Sequence, residues 1–405
     1  MDPRIYAQRC RDYYQSSGLN ALAFAAVAAG VAALGSFLSA HRHPRESDLV
    51  QYAKAILDDP ASLRLHGIDH ILAWGMRVLY LRATTRPSNA WIASCTQLHL
   101  CEAIGLHEEE NIKKMASIAG AASLGHDADR LRRIFWISWA GHVMLSYEYD
   151  RSPVHFRSLT CGSIIAVPGS IADQFVRLIQ IIPCPNSPFQ SDIHPSNASD
   201  ELCERLKSLD DFQTTHPFLV MTKAEIAFCF YRRLYMLKTR IPDSAISLII
   251  TSGNAAVAAA QQQARQGRLF WNVIGSVFQY ACILLAIESP IAGPHITGAF
   301  QGLENLVRAA DTVLTREALS IARHLLGLKR AKKRRELEVL EGVEEGYTFF
   351  PELGDAVQAG VAVGVGDASN GSGGGGGVLE VDWELDWDQF FVEPYLSMLG
   401  PDLPL

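Results

Sequence analysis

The sequence predicts an all-α fold, and three observations predict it. Ala- and Leu-rich blocks with helical apolar spacing fill residues 5–340, and convincing period-two alternation is absent. Pro or Gly punctuates several joins, at Pro44, Pro60, Pro153, Pro242 and Pro290–Pro294. Hydrophobic residues make up 48% of the 405 and charged residues 20%, enough to build a sizeable core and to exclude wholesale disorder.

Taken in order, the first expected helix, 19–40, contains Leu19–Leu38, twenty uncharged residues of which eight are Ala. At ~1.5 Å per residue that stretch could span a bilayer. Alanine lacks the insertion drive of Leu or Ile, however, so a buried helix is the reading preferred to a membrane anchor. Helices 46–57 and 62–82 follow Pro44 and flank Pro60, and 86–105 comes next. Helix 128–148 carries Leu131, Ile134, Phe135 and Trp139 at i, i+3, i+4 and i+8, a buried stripe, and ends before Pro153. Helix 170–181 runs into Ile182–Pro195, a loop by its four prolines. Helices 199–212 and 217–238 follow, then 243–266 behind Pro242, 269–287 ahead of Pro290, and 299–328.

The net charge of −7 hides a split. Residues 336–405 hold 15 acids and no Lys or Arg, so residues 1–335 carry a net charge of +8. At the boundary stands Lys329-Arg330-Ala331-Lys332-Lys333-Arg334-Arg335. This run reads either as a solvated helix end or as a nuclear-localisation or nucleic-acid patch. Residues 1–345 are therefore expected to form the helical domain. Residues 346–377, ending in five successive glycines with no Lys-Ser/Thr behind them, are expected to be a flexible linker rather than a phosphate loop.

Residues 378–405 form an acidic-aromatic tail. Trp383, Trp387, Phe390 and Phe391 fall at i, i+4, i+7 and i+8 among Glu380, Asp382, Glu384, Asp386 and Asp388. Acids keep such a segment solvated, and its aromatics are ready to enter a partner's groove, the composition of an activation segment. The competing reading is that the tail docks on this chain's own core.

Catalytic patterns are sparse. The eight cysteines show no metal-binding spacing and suit a reducing compartment. His66 and His70 lack a third ligand, and the Cys95, His99, Cys101 and His107 group matches no compact zinc site. No nucleophile elbow, dinucleotide fingerprint or kinase set is present, so no enzyme, cofactor or metal site is expected in this chain.

Ala90–His107 (AWIASCTQLHLCEAIGLH), with Gly105, Leu106 and His107 at its end, resembles a helix of the fungal-specific transcription factor domain, the regulatory middle region of fungal zinc-cluster factors. Leu131–Pro153, with Arg132, Arg133, Phe135 and Trp136 and then Arg151 and Pro153, resembles that family's Arg-rich Phe-Trp helix and the turn after it. Asn254–Ile287 resembles its later Ala-rich and aromatic helices, and the resemblance covers about residues 20–330. His142 stands where the family usually has Asp, and the six-cysteine zinc cluster is not among these residues. The resemblance implies a nuclear regulator of RNA polymerase II genes, controlling a metabolic or secondary-metabolite cluster. Its implied partners are coactivators and a second copy or a zinc-cluster factor. DNA would be reached indirectly or through an upstream domain, which alone would bring zinc, and no membrane is involved. The alternatives are a regulator without DNA binding that pairs or competes with full-length factors, and, more distantly, a protein anchored through 19–38.

Overall fold

The computed structural model describes residues 3–15, 22–39, 41–59, 67–85, 87–118, 121, 124–184, 197–347 and Trp387. Among these residues the regular structure is entirely helical. The N-terminal layer consists of α1 (Pro3–Gln15), α2 (Leu22–Phe37), α3 (Glu46–Asp58) and α4 (Ile68–Thr84). The middle holds α5 (Pro87–Ala103), α6 (Glu109–Ala116), α7 (Ala128–Glu148), α8 (Ile171–Ile179) and α9 (Ala198–Asp211). The C-terminal bundle is α10 (Pro217–Met236), α11 (Asp243–Arg265), α12 (Trp271–Ala286), α13 (Gly293–Ala309) and α14 (Val313–Tyr347).

Burial follows the apolar pattern. Every residue of α12 from Asn272 to Ala286 is buried, because α10, α11, α13 and α14 pack around it. A helix apolar on all sides has no face to give to water. The N-terminal layer has its own smaller core of Phe24, Val27, Ile56, Leu57 and Ala73, where α2 packs on α3 and α4. The main core runs from Ile71 and Leu98 through Leu131, Phe135 and Trp136 to Phe228 and Tyr280.

Several expected boundaries shift. The uncharged stretch 19–38 yields a helix of only 16 residues, α2, with Ala25, Ala26 and Ala33 buried against protein. Among the described residues only α11 is long and apolar enough to cross a membrane, and its Ile246, Ile249, Ile250 and Ala256 face the main core instead. The expected helix 299–328 is two helices. Thr312 interrupts it as a cap, its hydroxyl accepting the Thr315 N–H at 3.1 Å, while Ala310 leaves helical geometry with φ −150°. Helix α14 then continues beyond 328 to Tyr347.

Two helices were not expected from the sequence. Helix α1 is mostly polar and is held from outside, by Tyr6 and Tyr13 on the Phe24 ring and by Arg9 paired with Asp69 at 2.6 Å. Helix α6 has only eight residues, too few to be stable alone, and is secured by fully buried Ile112.

Helices α11 and α12 approach closely at Gly253 on α11. A Cβ there would lie 2.2 Å from two ring carbons of Tyr280 on α12. The ring cannot retreat, because Tyr280 is fully buried and its hydroxyl donates to Asn254 Oδ1 at 2.8 Å. Gly253→Ala therefore lowers the thermal midpoint, overpacking of about 1–3 kcal/mol outweighing about 1 kcal/mol of helix propensity. Gly141→Ala in α7, with open space at its Cβ, raises it instead. Paired thermal melts check both signs.

Candidate functional site

Helix α7 organises the middle of the molecule. Asp127 caps it, its carboxylate accepting the Arg130 N–H at 2.9 Å. Leu131, Phe135, Trp136 and Trp139 are buried in the main core. The motif arginines lie beside that stripe and gather the segment that follows the helix. Arg132 forms a bidentate pair with Glu109 of α6. Glu109 also accepts the Gly162 N–H at 2.9 Å. The Arg132 guanidinium and that N–H hold the Glu109 carboxyl at about 2 against its partial burial. Arg133 joins Asp129, Asp173 and the Ile165 carbonyl, and the Trp136 indole donates to the Gly162 carbonyl at 2.8 Å.

Gly105, Leu106 and His107 close α5. Gly105 has φ +78°, its N–H bonds the Glu102 carbonyl, and the Leu106 N–H reaches back to Cys101. This is a glycine helix stop that also buries Leu106. The His107 carbonyl accepts the N–H groups of Thr160 and Cys161, and its ring stacks on Phe156 at 5.5 Å. Arg151 is exposed and Pro153 half-buried, in the turn opened by Asp150 at φ 51°. Most of these motif residues hold helices and loops together.

His142 occupies the middle of α7 and is buried. Its Nε2 accepts the Val154 N–H at 2.8 Å, so the proton sits on Nδ1, which donates to Ser94 Oγ at 2.8 Å. Ser94 in turn donates to the Trp91 carbonyl. A neutral imidazole thus ties α5, α7 and the following loop. Burial, with His99 and His155 adding to it, pushes its pKa down to about 4.

A buried charge cluster lies where α4, α7, α10 and α12 meet. Arg82 pairs with Glu148, both almost wholly buried, and its guanidinium lies 4.7 Å from the Trp271 ring. Arg232 donates to the Glu148 carbonyl at 2.9 Å and to Gln279 Oε1 at 3.3 Å. Glu225 is buried beside them, and burial together with the Glu148 charge pushes its pKa well up. Sequence reading missed this cluster. Its one signal was charges spaced seven apart, Glu225 and Arg232, on the apolar face of α10. Among the described residues no group of three or more His, Cys, Asp or Glu could hold a metal ion. Burial pushes the Cys101 and Cys161 thiols up to about 12, away from the thiolate form that reacts.

The basic run lies on α14. Lys329 is taken up by the body: its ammonium donates to the Leu285 and Ile287 carbonyls, at 2.7 and 3.0 Å, capping the end of α12. Arg330, Lys332, Lys333, Arg334 and Arg335 are exposed. Of the tail aromatics only Trp387 is described. It is half-buried and packs against the main core. Trp383, Phe390, Phe391 and His66 lie outside the described residues, as does the expected 346–377 linker apart from Gly346 and Tyr347, which end α14.

Protein RDR1 of Saccharomyces cerevisiae is 37% identical over 344 residues, 84% of this chain and 61% of its own length. Transcription factor kojR of Aspergillus oryzae is 29% identical over 371 residues, 89% of this chain and 63% of its own. The chain is related to fungal transcription factors. A probable transcriptional repressor of Schizosaccharomyces pombe is 24% identical over 220 residues, 54% of this chain. The chain spans about six-tenths of the length of the first two relatives. No protein-family profile matches it. No solved structure matches it.

The buried imidazole has a pH signature. Unfolded His142 takes up its proton near pH 6.5, and folded His142 only near 4. The folded chain therefore loses stability as pH falls through that window, by roughly 3 kcal/mol in all. Glu225 acts with the opposite sign, because its raised pKa favours the fold as pH falls. Denaturation of His142→Gln beside the parent at several pH values isolates the imidazole: the parent's stability should fall relative to the variant's between pH 6.5 and 4.

Proposed function

We propose that the chain is the regulatory part of a nuclear fungal transcription regulator that controls a metabolic or secondary-metabolite gene cluster. The observation that carries this reading is the alignment with Protein RDR1 and kojR across more than four-fifths of the chain. The site geometry agrees with a scaffold: its polar networks join helices, and the His142 imidazole donates to Ser94 instead of accepting its proton. The helical body presents regulatory surfaces, and the tail recruits coactivators through Trp383, Trp387, Phe390 and Phe391. Sequence-specific DNA contact comes from a zinc-cluster factor bound to it, or from chain beyond these 405 residues that holds the zinc.

One observation supports a second state of the tail. Trp387 packs on the main core, so one of the aromatics assigned to coactivator recruitment also fits the protein's own body. The tail then alternates between the body and its partner, and each occupant excludes the other.

Two measurements test these assignments. With the chain tethered to DNA beside a reporter, removal of residues 378–405 should abolish activation, and unchanged output would overturn the tail's role. The tail tethered alone should exceed the full chain, and equal output would remove the masked state. Separately, replacing Arg330, Lys332, Lys333, Arg334 and Arg335 together by Ala should shift a fluorescent fusion from nucleus to cytoplasm. Lys329→Ala alone should leave localisation unchanged and lower the thermal midpoint, because its ammonium serves α12.

A further inference from the structure

Helices α10, α12 and α14 run in the same direction. Asn272 reaches the Phe218 carbonyl near the start of α10, Gln279 meets Arg232 further on, and Lys329 of α14 caps the far end of α12. Helices α10 and α12 therefore finish at one end of the bundle, and α14 overhangs that end. Ala318, Leu319, Ala322 and Leu325 mark the buried side of α14. At 100° per residue, Lys332, Lys333, Leu337, Leu340 and Val343 lie within about 70° of that side's mean direction. All five are exposed, so the overhang turns bases and then an apolar stripe over the bundle end.

The bundle end continues the same character. Tyr235 is half-buried, Met236 and Leu237 are 43% and 41% exposed, and Lys238 and Arg240 are exposed. The Lys238 ammonium lies 4.8 Å from the centre of the Tyr235 ring. Tyr231, 6.3 Å from Tyr235 between ring centres, feels the charge of Glu288, which lies 4.0 Å from Lys332. The two walls thus meet in one corner. Its acids, Glu288, Asp243 beside Ser289 and Glu336 beside Lys333, are outnumbered by Lys238, Arg240, Arg330 and Lys332 to Arg335.

An exposed apolar corner with a basic rim fits an acidic segment carrying bulky apolar side chains. The chain holds one: Trp383, Trp387, Phe390 and Phe391, with five acids between 380 and 388. A Gly-rich length of about 30 residues, such as 348–377, spans about 30 Å root-mean-square, enough to return along the ~20 Å from Tyr347 to Lys333. Trp387 packs on the main core, and Tyr235 belongs to the same half-buried margin of that core. We propose that this corner is the docking site of the 378–405 tail. The contact covers Lys332 and Lys333 of the import run together with the tail aromatics, so import and activation are released together. It rests on the second state of the tail proposed above and gives that state its surface.

Hydrogen exchange on the full chain, with and without residues 378–405, tests the site. Removing the tail should speed exchange of amides 331–343 and 236–240 about tenfold and leave α7 unchanged. Trp387→Ala, and separately Lys238→Glu with Arg240→Glu, should do the same with the tail in place. Higher salt should speed these amides only when the tail is present, because it screens the pairing. Equal exchange with and without the tail would overturn the proposal. So would protection that survives tail removal and grows with protein concentration, which would give the corner to a second copy. Exchange reads docking without reference to activation. Loss of reporter output on tail removal with unchanged exchange would keep the tail's role and remove this site; tail-dependent protection without reporter output would do the reverse.

Discussion

The middle of the structure depends on burying two arginines and two glutamates where four helices meet. Taking such charges out of water costs several kcal/mol each, offset only where a charge is paired and hydrogen-bonded in good geometry, and Glu225 lessens that cost through its raised pKa, which favours the neutral acid. Arg82 satisfies Glu148, Arg232 binds the Glu148 carbonyl and Gln279, and Trp271 lies over the Arg82 guanidinium. Such a network tolerates one arrangement of α4, α7, α10 and α12, because a shift of any helix would leave a buried charge without its partner. The N-terminal layer and the C-terminal bundle are thereby locked in register through α7, which carries the family-like motif.

That lock explains why the motif residues are structural. Arg132, Arg133 and Trp136 bind down the segment from 160 to 173, and His142 fixes the chain just after α7. Together they make a rigid body from helices that individually have little stability in water.

The exposed apolar and basic residues of α14 lie at the periphery of this body. The same helix changes character at Lys329, from a packed element to an overhang with segregated charge. The acidic tail adds Trp387, half-buried on the main core.

The sequence by itself determined the all-α class, most helix positions and the polarity split at 335/336. Each of these follows from periodicity or counting, which are local properties of the chain. It did not determine α1 and α6, whose helicity comes from Phe24, Asp69 and the core around Ile112 rather than from their own residues. It joined α13 to α14 because the Thr312 cap is one hydroxyl inside an otherwise continuous apolar pattern. Only the tertiary structure decided that Glu225 and Arg232 face inwards, that His142 is a neutral tie, and that the Lys329 ammonium caps α12 while its basic neighbours stay exposed. Those distinctions depend on which groups from distant parts of the chain meet, and a charge reads the same in sequence whether water or a buried partner neutralises it.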